Sequence, residues 1–258
     1  MRVVTWNVNS VKARLERLLN FLERRNPDVL FLQELKVTDD NFPYEPIGNL
    51  GYSATVYGQK TYNGVAILSK IAPKDIVKGF GDGDPQSRFV GATIGKVRCY
   101  SAYIPNGQAV GSEKYAYKLE WLRKMRAYFE THHEPSDPIL LGGDFNVAPE
   151  DRDVHDPTAW RGQILFSDPE KAGLKNVLDF GFSDTFRKFH SAAGHFSWWD
   201  YRMLGFAKNR GLRIDFIFAT QELLASCRSA SIDRDERKGE LPSDHAPVVA
   251  EFEDKSWL

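Results

Sequence analysis

The sequence predicts an α/β sandwich, two stacked β-sheets flanked by helices, in a single domain over residues 1–258. Three observations predict it. Short β-rich runs outnumber amphipathic helical segments; several of those runs are apolar on both faces, as strands covered on each side must be; and no linker, repeat or low-complexity stretch divides the chain. A hydrophobic fraction of 42% over 258 residues supplies a core large enough for such a sandwich.

The elements follow in order. Val3 to Val8 reads as the first strand. Apolar residues at Val11, Leu15, Leu18 and Leu22 then recur every three or four positions, with Arg14, Glu16, Arg17, Glu23 and Arg24 on the other faces, so an amphipathic helix follows and Pro27 stops it. Val29 to Gln33 is apolar on both faces and predicts a central strand. Strand patterns recur at Ala54–Tyr57, Val65–Leu68, Phe89–Ile94 and Val97–Ile104, with the Gly79–Pro85 cluster as a loop. Leu119, Leu122, Met125 and Phe129 make the stripe of a second helix from Glu113 to about His132, which Pro135 ends. Ile139–Leu141 is a strand, Asp151–Gly162 a loop, and Glu170–Asp179 a third helix closed by Gly181. Ile214–Ala219, carrying Phe216, Ile217 and Phe218, is a second covered strand, and Val248–Phe252 is the last.

Composition narrows the function classes. A net charge of −1 gives no overall positive field, so nucleic-acid binding would require a local basic patch. Cys99 and Cys227 are too few for a disulfide framework and lie in no zinc spacing, which points to a reducing, cytoplasmic setting. The first residues read as a strand and not as a signal peptide, and no apolar run reaches the roughly 18 to 20 residues that span a bilayer. No membrane partner is therefore expected. Without heptads or a Gly-rich phosphate loop, a monomer with no nucleotide cofactor is expected, and neither a serine elbow nor a zinc helix motif is present.

The informative residues are acids and amides at the ends of apolar strands, where a carboxylate loses water and needs a partner or a metal. There are five such places: Asn7 and Asn9; Glu34 after Leu30-Phe31-Leu32-Gln33; Asp144 with Asn146 after Gly142-Gly143; Asp215 within Arg213-Ile214-Asp215-Phe216; and Asp244-His245 before Ala246-Pro247. Singly, each has an ordinary explanation. Glu34 reads as a solvated strand end, Asp144 as a turn cap, Asp215 as a structural acid paired with Arg213 or Arg210, and Asp244-His245 as turn composition. Together they place several acids, amides and one histidine on strand ends that can converge at one rim of a sandwich. Hard oxygen ligands of this kind suit Mg2+ or Mn2+, and the cluster fits phosphoester chemistry.

Seven strings carry a family resemblance: Trp6-Asn7-Val8-Asn9, Leu32-Gln33-Glu34-Leu35-Lys36, Asn63-Gly64-Val65-Ala66, Tyr103-Ile104-Pro105-Asn106-Gly107, Gly143-Asp144-Phe145-Asn146, Gly211-Leu212-Arg213-Ile214-Asp215 and Ser243-Asp244-His245. In this order they resemble exonuclease III and the related abasic-site endonucleases, over essentially the whole chain. The resemblance implies a four-layered α/β sandwich like that of deoxyribonuclease I. It also implies a metal-dependent DNA repair nuclease, acting on duplex DNA 5′ to abasic sites and on damaged 3′ ends. By it, Glu34 would hold Mg2+, for which Mn2+ would substitute, with Asn9 helping and Asp244 as an auxiliary acid. Asp144, assisted by Asn146, would orient or deprotonate the attacking water. His245, held by Asp215, would contact the scissile phosphate, and Tyr103, Asn7 and Asn106 would complete the phosphate pocket.

The segment His195 to Arg213 sets Phe196, Trp198, Trp199, Tyr201 and Phe206 among Arg202, Lys208, Arg210 and Arg213, a mixture suited to stacking and phosphate binding. Phe196 and Trp199 are equally consistent with core. Trp198 and Leu212 match positions that in the family line a pocket for a flipped-out abasic sugar. Lys12, Arg14 and Lys36 lie near the metal residues in sequence and could grip the DNA backbone, although a solvated helix face also accounts for Lys12 and Arg14. Two rival readings share these residues: a phosphoinositide or sphingolipid phosphoesterase of the same fold, and a non-catalytic nucleic-acid-binding relative. The aromatic and basic segment argues against the first, and the complete set of site residues against the second.

Overall fold

In the computed structural model, which describes residues 1–253, β1 (Arg2–Asn7) and β2 (Val29–Gln33) run parallel, joined by α1 (Leu15–Arg25). The short α2 (Tyr44–Asn49) leads to β3 (Ser53–Tyr57), which pairs antiparallel with β4 (Val65–Ser69), and β4 closes on β2. The second half repeats the plan. β5 (Lys74–Lys78), β6 (Phe89–Ile94) and β7 (Val97–Tyr103) form an antiparallel meander, and α3 (Glu113–His132) crosses to β8 (Ile139–Asp144), parallel to β7. After α4 (Pro157–Trp160) and α5 (Asp168–Leu178), β9 (Phe182–Asp184) and β10 (Asp215–Thr220) complete the second sheet. α6 (Gln221–Ser226) then returns the chain to the first sheet through β11 (Cys227–Ile232) and β12 (Val248–Phe252). The sheet orders are β11-β12-β1-β2-β4-β3 and β5-β6-β7-β8-β10-β9.

Side-chain alternation sorts the layers. Val3, Val29, Phe31 and Ile67 point between the sheets, where they meet Val90, Leu140 and Ile217. Their neighbours Val4, Trp6, Leu30 and Leu32 point outward onto Leu18, Phe21 and Leu22 of α1 and Ile47 of α2. On the other side α3 and α5 cover the second sheet through Trp121, Leu122, Met125, Phe129, Leu174 and Val177. The result is four layers: helix, sheet, sheet, helix. Each fully buried large apolar side chain contributes about 1.5–3 kcal/mol, so this double-sided burial is the main source of stability.

The expected strands are all present, and α3 has the expected limits. α1 begins at Leu15 because Val11 sits in the preceding turn, buried against Leu35, and Asn26 caps the helix in a left-handed conformation just before Pro27. Three strands and three short helices were not anticipated. β5 is exposed at nearly every position, β9 has three residues and β11 is Ser-rich, so none carries a clear apolar period. No described helix is long and apolar enough to cross a membrane.

Candidate active site

Polarity between the sheets rises toward one rim. Above the apolar layer of Val3, Val29 and Phe31 lies a buried hydrogen-bonded layer, in which Gln33 Nε2 donates to Thr5 Oγ1 and Ser101 Oγ, each at 3.1 Å. Above that, the C-terminal ends of β1, β2, β7 and β8 deliver Asn7, Glu34, Tyr103 and Asp144, and β10, antiparallel to β8, places Asp215 opposite Asp144. The approach to β12 adds His245.

Asn7 Nδ2 donates to both Glu34 Oε1 (2.8 Å) and Asp144 Oδ2 (2.9 Å), tying one sheet to the other. The backbone N–H of Asn146 donates to Asp144 Oδ1 at 3.0 Å, and Asn146 Nδ2 donates to Ile104 O at 3.0 Å. His245 Nδ1 bonds Asp215 Oδ2 at 2.9 Å, and its Nε2 lies 3.7 Å from Asp144 Oδ2. Much of this rim is built on left-handed backbone: Asn9 (φ 45°), Glu34 (52°), Lys36 (57°) and Asn146 (50°). That conformation costs Glu34 and Lys36 roughly 1–2 kcal/mol, whereas asparagine adopts it more readily. It is held at Glu34 by Ser10 N–H donating to Glu34 O (2.8 Å) and at Lys36 by its own N–H donating to Asn63 O (3.0 Å).

Electrostatics follows from burial. Burial, reinforced by Asp215 and Glu34 and opposed by His245 and Asn7, raises the Asp144 carboxyl to about 7. Burial disfavours the His245 imidazolium, yet Asp215 and Asp144 outweigh it and raise the ring to about 10. Tyr103 is pushed well above its ordinary value by burial and by the Glu34 and Asp144 charges, so its hydroxyl keeps its proton. Burial also opposes ionisation of Asp244, but His245 and the Trp198 indole hold it below the usual value.

Glu34, Asp144 and His245 each bring one ligand atom within 4.8 Å of the others. Lys36 Nζ sits 3.0 Å from Glu34 Oε2 and 2.5 Å from Asn9 Oδ1, so these oxygens already face a point that accepts positive charge. The carboxylate and amide oxygens of Glu34, Asp144 and Asn9 fit a hard divalent cation. Asn9 Nδ2 donates to Asp244 Oδ1 (2.9 Å), and Trp198 Nε1 donates to Asp244 Oδ2 (3.0 Å), so Asp244 braces Asn9 and Trp198.

The remaining expected residues divide by burial. Asn106 is exposed at the rim, with its Nδ2 3.3 Å from Asn146 Oδ1. Lys12 and Arg210 are exposed, whereas Arg14 is no solvated helix residue: it precedes α1 and donates to Asn9 O (2.6 Å) and the Tyr201 hydroxyl (3.1 Å). Two expectations are corrected. Leu212 is wholly buried in a packed cluster with Val154, Leu165 and Phe166, so it underlies Trp198 and offers no surface of its own. Arg213 pairs with Asp153 (2.7 Å) and Asp184 (2.6 Å) inside the protein and with neither Asp215 nor solvent. Phe196 and Trp199 are core.

The sequence reading missed several supports. Ser197 Oγ, fully buried, accepts from the N–H groups of Ile214 (3.1 Å) and Asp215 (3.0 Å) and so fixes the start of β10. Ser243 Oγ donates to Asn7 O at 2.7 Å, joining the last loop to the first strand. Beside Tyr103 and Asn106 opens a pocket of about 560 Å³, lined also by Gln59, Gln86, Arg88 and Lys114.

Known proteins share this architecture throughout. A model of the endonuclease/exonuclease/phosphatase family matches residues 4–245. Exodeoxyribonuclease III of Haemophilus influenzae is 40% identical, the alignment covering 98% of this chain and 100% of that protein. Among solved structures, the 3′-5′ exonuclease NExo from Neisseria meningitidis aligns with a TM-score of 0.94 at 40% identity, covering 98% of this chain and 100% of that one. An AP endonuclease from Archaeoglobus fulgidus aligns with a TM-score of 0.95 at 35% identity, with coverage of 98% and 100%. A family match across residues 4–245, together with 40% identity over nearly the full length of both chains, establishes that this protein belongs to the endonuclease/exonuclease/phosphatase family, in its exodeoxyribonuclease III group.

Proposed function

We propose that this protein is a magnesium-dependent DNA repair nuclease that hydrolyses the phosphodiester 5′ to abasic sites in duplex DNA and also trims damaged 3′ ends. The observation that carries the reading is the convergence of Glu34, Asp144 and His245 within 4.8 Å, bridged by Asn7. The range of its relatives, an exodeoxyribonuclease, a 3′-5′ exonuclease and an AP endonuclease, supports both activities.

In this reading each residue has one task. Asp144, fixed by Asn7 and by the Asn146 N–H, accepts from the attacking water and aims it at phosphorus. His245, oriented through Nδ1 by Asp215, presents its Nε2 proton to a phosphate oxygen. The Tyr103 hydroxyl and the Asn7 and Asn106 amides surround the same phosphate. Glu34 would hold Mg2+, or Mn2+ in its place, with Asn9 alongside and Asp244 as auxiliary acid; the cation supplies neutralisation of charge on the scissile phosphate. Lys12, Arg14, Lys36 and Arg210 would meet the DNA backbone, and Trp198 the sugar at the lesion, on a local patch that a net charge of −1 requires. Action as a monomer belongs to the same reading, and two buried unpaired cysteines support a cytoplasmic setting.

The test is cleavage of an end-labelled duplex carrying one abasic-site analogue, beside a duplex with a blocked 3′ end and an intact control. A single Mg2+-dependent cut at the analogue, abolished by EDTA, is expected. Glu34→Gln and Asp144→Asn should each lower turnover by about 10²- to 10⁴-fold. Normal turnover in either variant would sink the assignment.

A further inference from the structure

One buried ion pair lies just beneath the residues assigned above and has no task among them. Lys118 on α3 and Glu170 on α5 pair with both side chains 0% exposed. A charge so far from water must have its donors satisfied. Besides Glu170, Lys118 Nζ donates to Asn146 O (2.7 Å) and Asn106 O (3.1 Å). Glu170 in turn accepts from Leu165 N–H (3.0 Å), Ser167 N–H (3.0 Å) and Ser167 Oγ (2.5 Å). The loops that follow β7 and β8 and the loop that precedes α5 therefore all hang from this pair.

The choice of carbonyls is what matters. Asn106 and Asn146 are the two amides on this side of the phosphate site, and Asn106 Nδ2 lies 3.3 Å from Asn146 Oδ1. Asn146 holds a left-handed backbone (φ 50°), and in that conformation its N–H reaches Asp144 Oδ1 at 3.0 Å. With the donor below removed, the Asn146 carbonyl would be orphaned in the interior, and the turn would shift to find it another partner, carrying the N–H away from Asp144. We propose that Lys118, steadied by Glu170, is a positioning residue for phosphodiester hydrolysis: it fixes the Asn106 and Asn146 backbones and, through Asn146, the Asp144 carboxylate. This inference rests on the site reading given above.

The test separates positioning from stability. Lys118→Met alone strands a buried carboxylate, whereas Lys118→Met/Glu170→Leu replaces the pair by apolar groups, a change that buried ion pairs often tolerate. For each variant, thermal melting, kcat and KM on the abasic duplex with Mg2+, and amide hydrogen exchange over residues 144–147 are measured. The double variant, which also leaves the Leu165 and Ser167 donors without their acceptor, is expected to melt below the wild type but to stay folded at the assay temperature, and to lose kcat by about 10- to 100-fold with little change in KM, because a small misplacement of a catalytic group costs on that order. Exchange at 144–147 should be faster in both variants. Glu170→Gln, which conserves volume, gives the same readouts if the core rejects the apolar pair. Recovery of full kcat together with stability in the double variant overturns the proposal. Should the wild-type protein itself fail to cut DNA, the functional reading falls, and exchange alone decides: acceleration at 144–147 in a natively melting variant supports the positioning role, and unchanged exchange refutes it.

Discussion

Ser197 touches no substrate, and yet Asp215 owes its placement to it. Its buried hydroxyl accepts two backbone N–H groups at the start of β10, one of them from Asp215 itself. Ser197→Ala would leave both donors unpaired, so the variant is expected to lose about 1–3 kcal/mol in urea unfolding. Its kcat should fall several-fold as Asp215 and His245 drift from register; wild-type values for both quantities would show that the hydroxyl is dispensable. The contrast with the residues that sequence alone picked out is physical. Asn7, Glu34, Asp144 and Asp215 announce themselves as polar groups set into apolar strands. Ser197 stands between Phe196 and Trp198 like any loop serine, and Lys118 sits on a helix among Lys114, Glu120 and Arg123 as a solvated residue would. Their partners lie 18 and 52 positions away, so only the folded chain reveals them. Arg213 misled for the same reason, since Asp153, its partner, is 60 positions distant.

At the scale of elements, β8 shows how a strand can be selected for what it lacks. Gly142 faces the opposite sheet, where a Cβ would come within 2.2 Å of Phe31 Cδ2, so the absence of a side chain lets Phe31 fill the gap between the sheets. Gly142→Ala should destabilise by about 1–3 kcal/mol through overpacking. Phe31→Leu in the same chain should recover part of that loss in a double-mutant cycle; strictly additive effects would mean the two residues do not share the space. The central strands and the three longest helices were legible because they bury a periodic face. α3 shows where that legibility stops, since its stripe also buries Tyr115, Lys118 and Trp121. β5, β9 and β11 escaped because edge strands are specified by pairing, and little of the pairing is written in their own side chains.

The whole molecule binds its ionisable groups into one alkaline limit. Burial raises the Cys99 thiol to about 12 and, with less burial, the Cys227 thiol to about 11, from an ordinary 9.0. Burial likewise raises Tyr52, Tyr100 and Tyr117 above their ordinary 10.0. The folded state thus favours the protonated forms, and the stability they confer is complete below the unfolded values and is lost as pH rises from about 9 toward 12. The melting temperature should fall steadily over that window, with the absorbance of the Tyr52, Tyr100 and Tyr117 tyrosinates appearing only on unfolding; a flat profile to pH 11 would contradict it. The four-layered arrangement was legible from the count and character of the strands, but the order in which they pair was not. β1 lies between β2 and β12, and the Met1 ammonium donates to Phe252 O at 2.7 Å. The hydroxyl that holds Asn7 O belongs to Ser243, 236 positions later. At ribosomal speeds, roughly 12–50 s pass between the synthesis of those two residues. Throughout that interval the first strand has no neighbour on one side, and Glu34 and Asp144 are made before the histidine that completes their cluster, so the rim comes together only when the last fifteen or so residues of the described chain fold back onto the first strand.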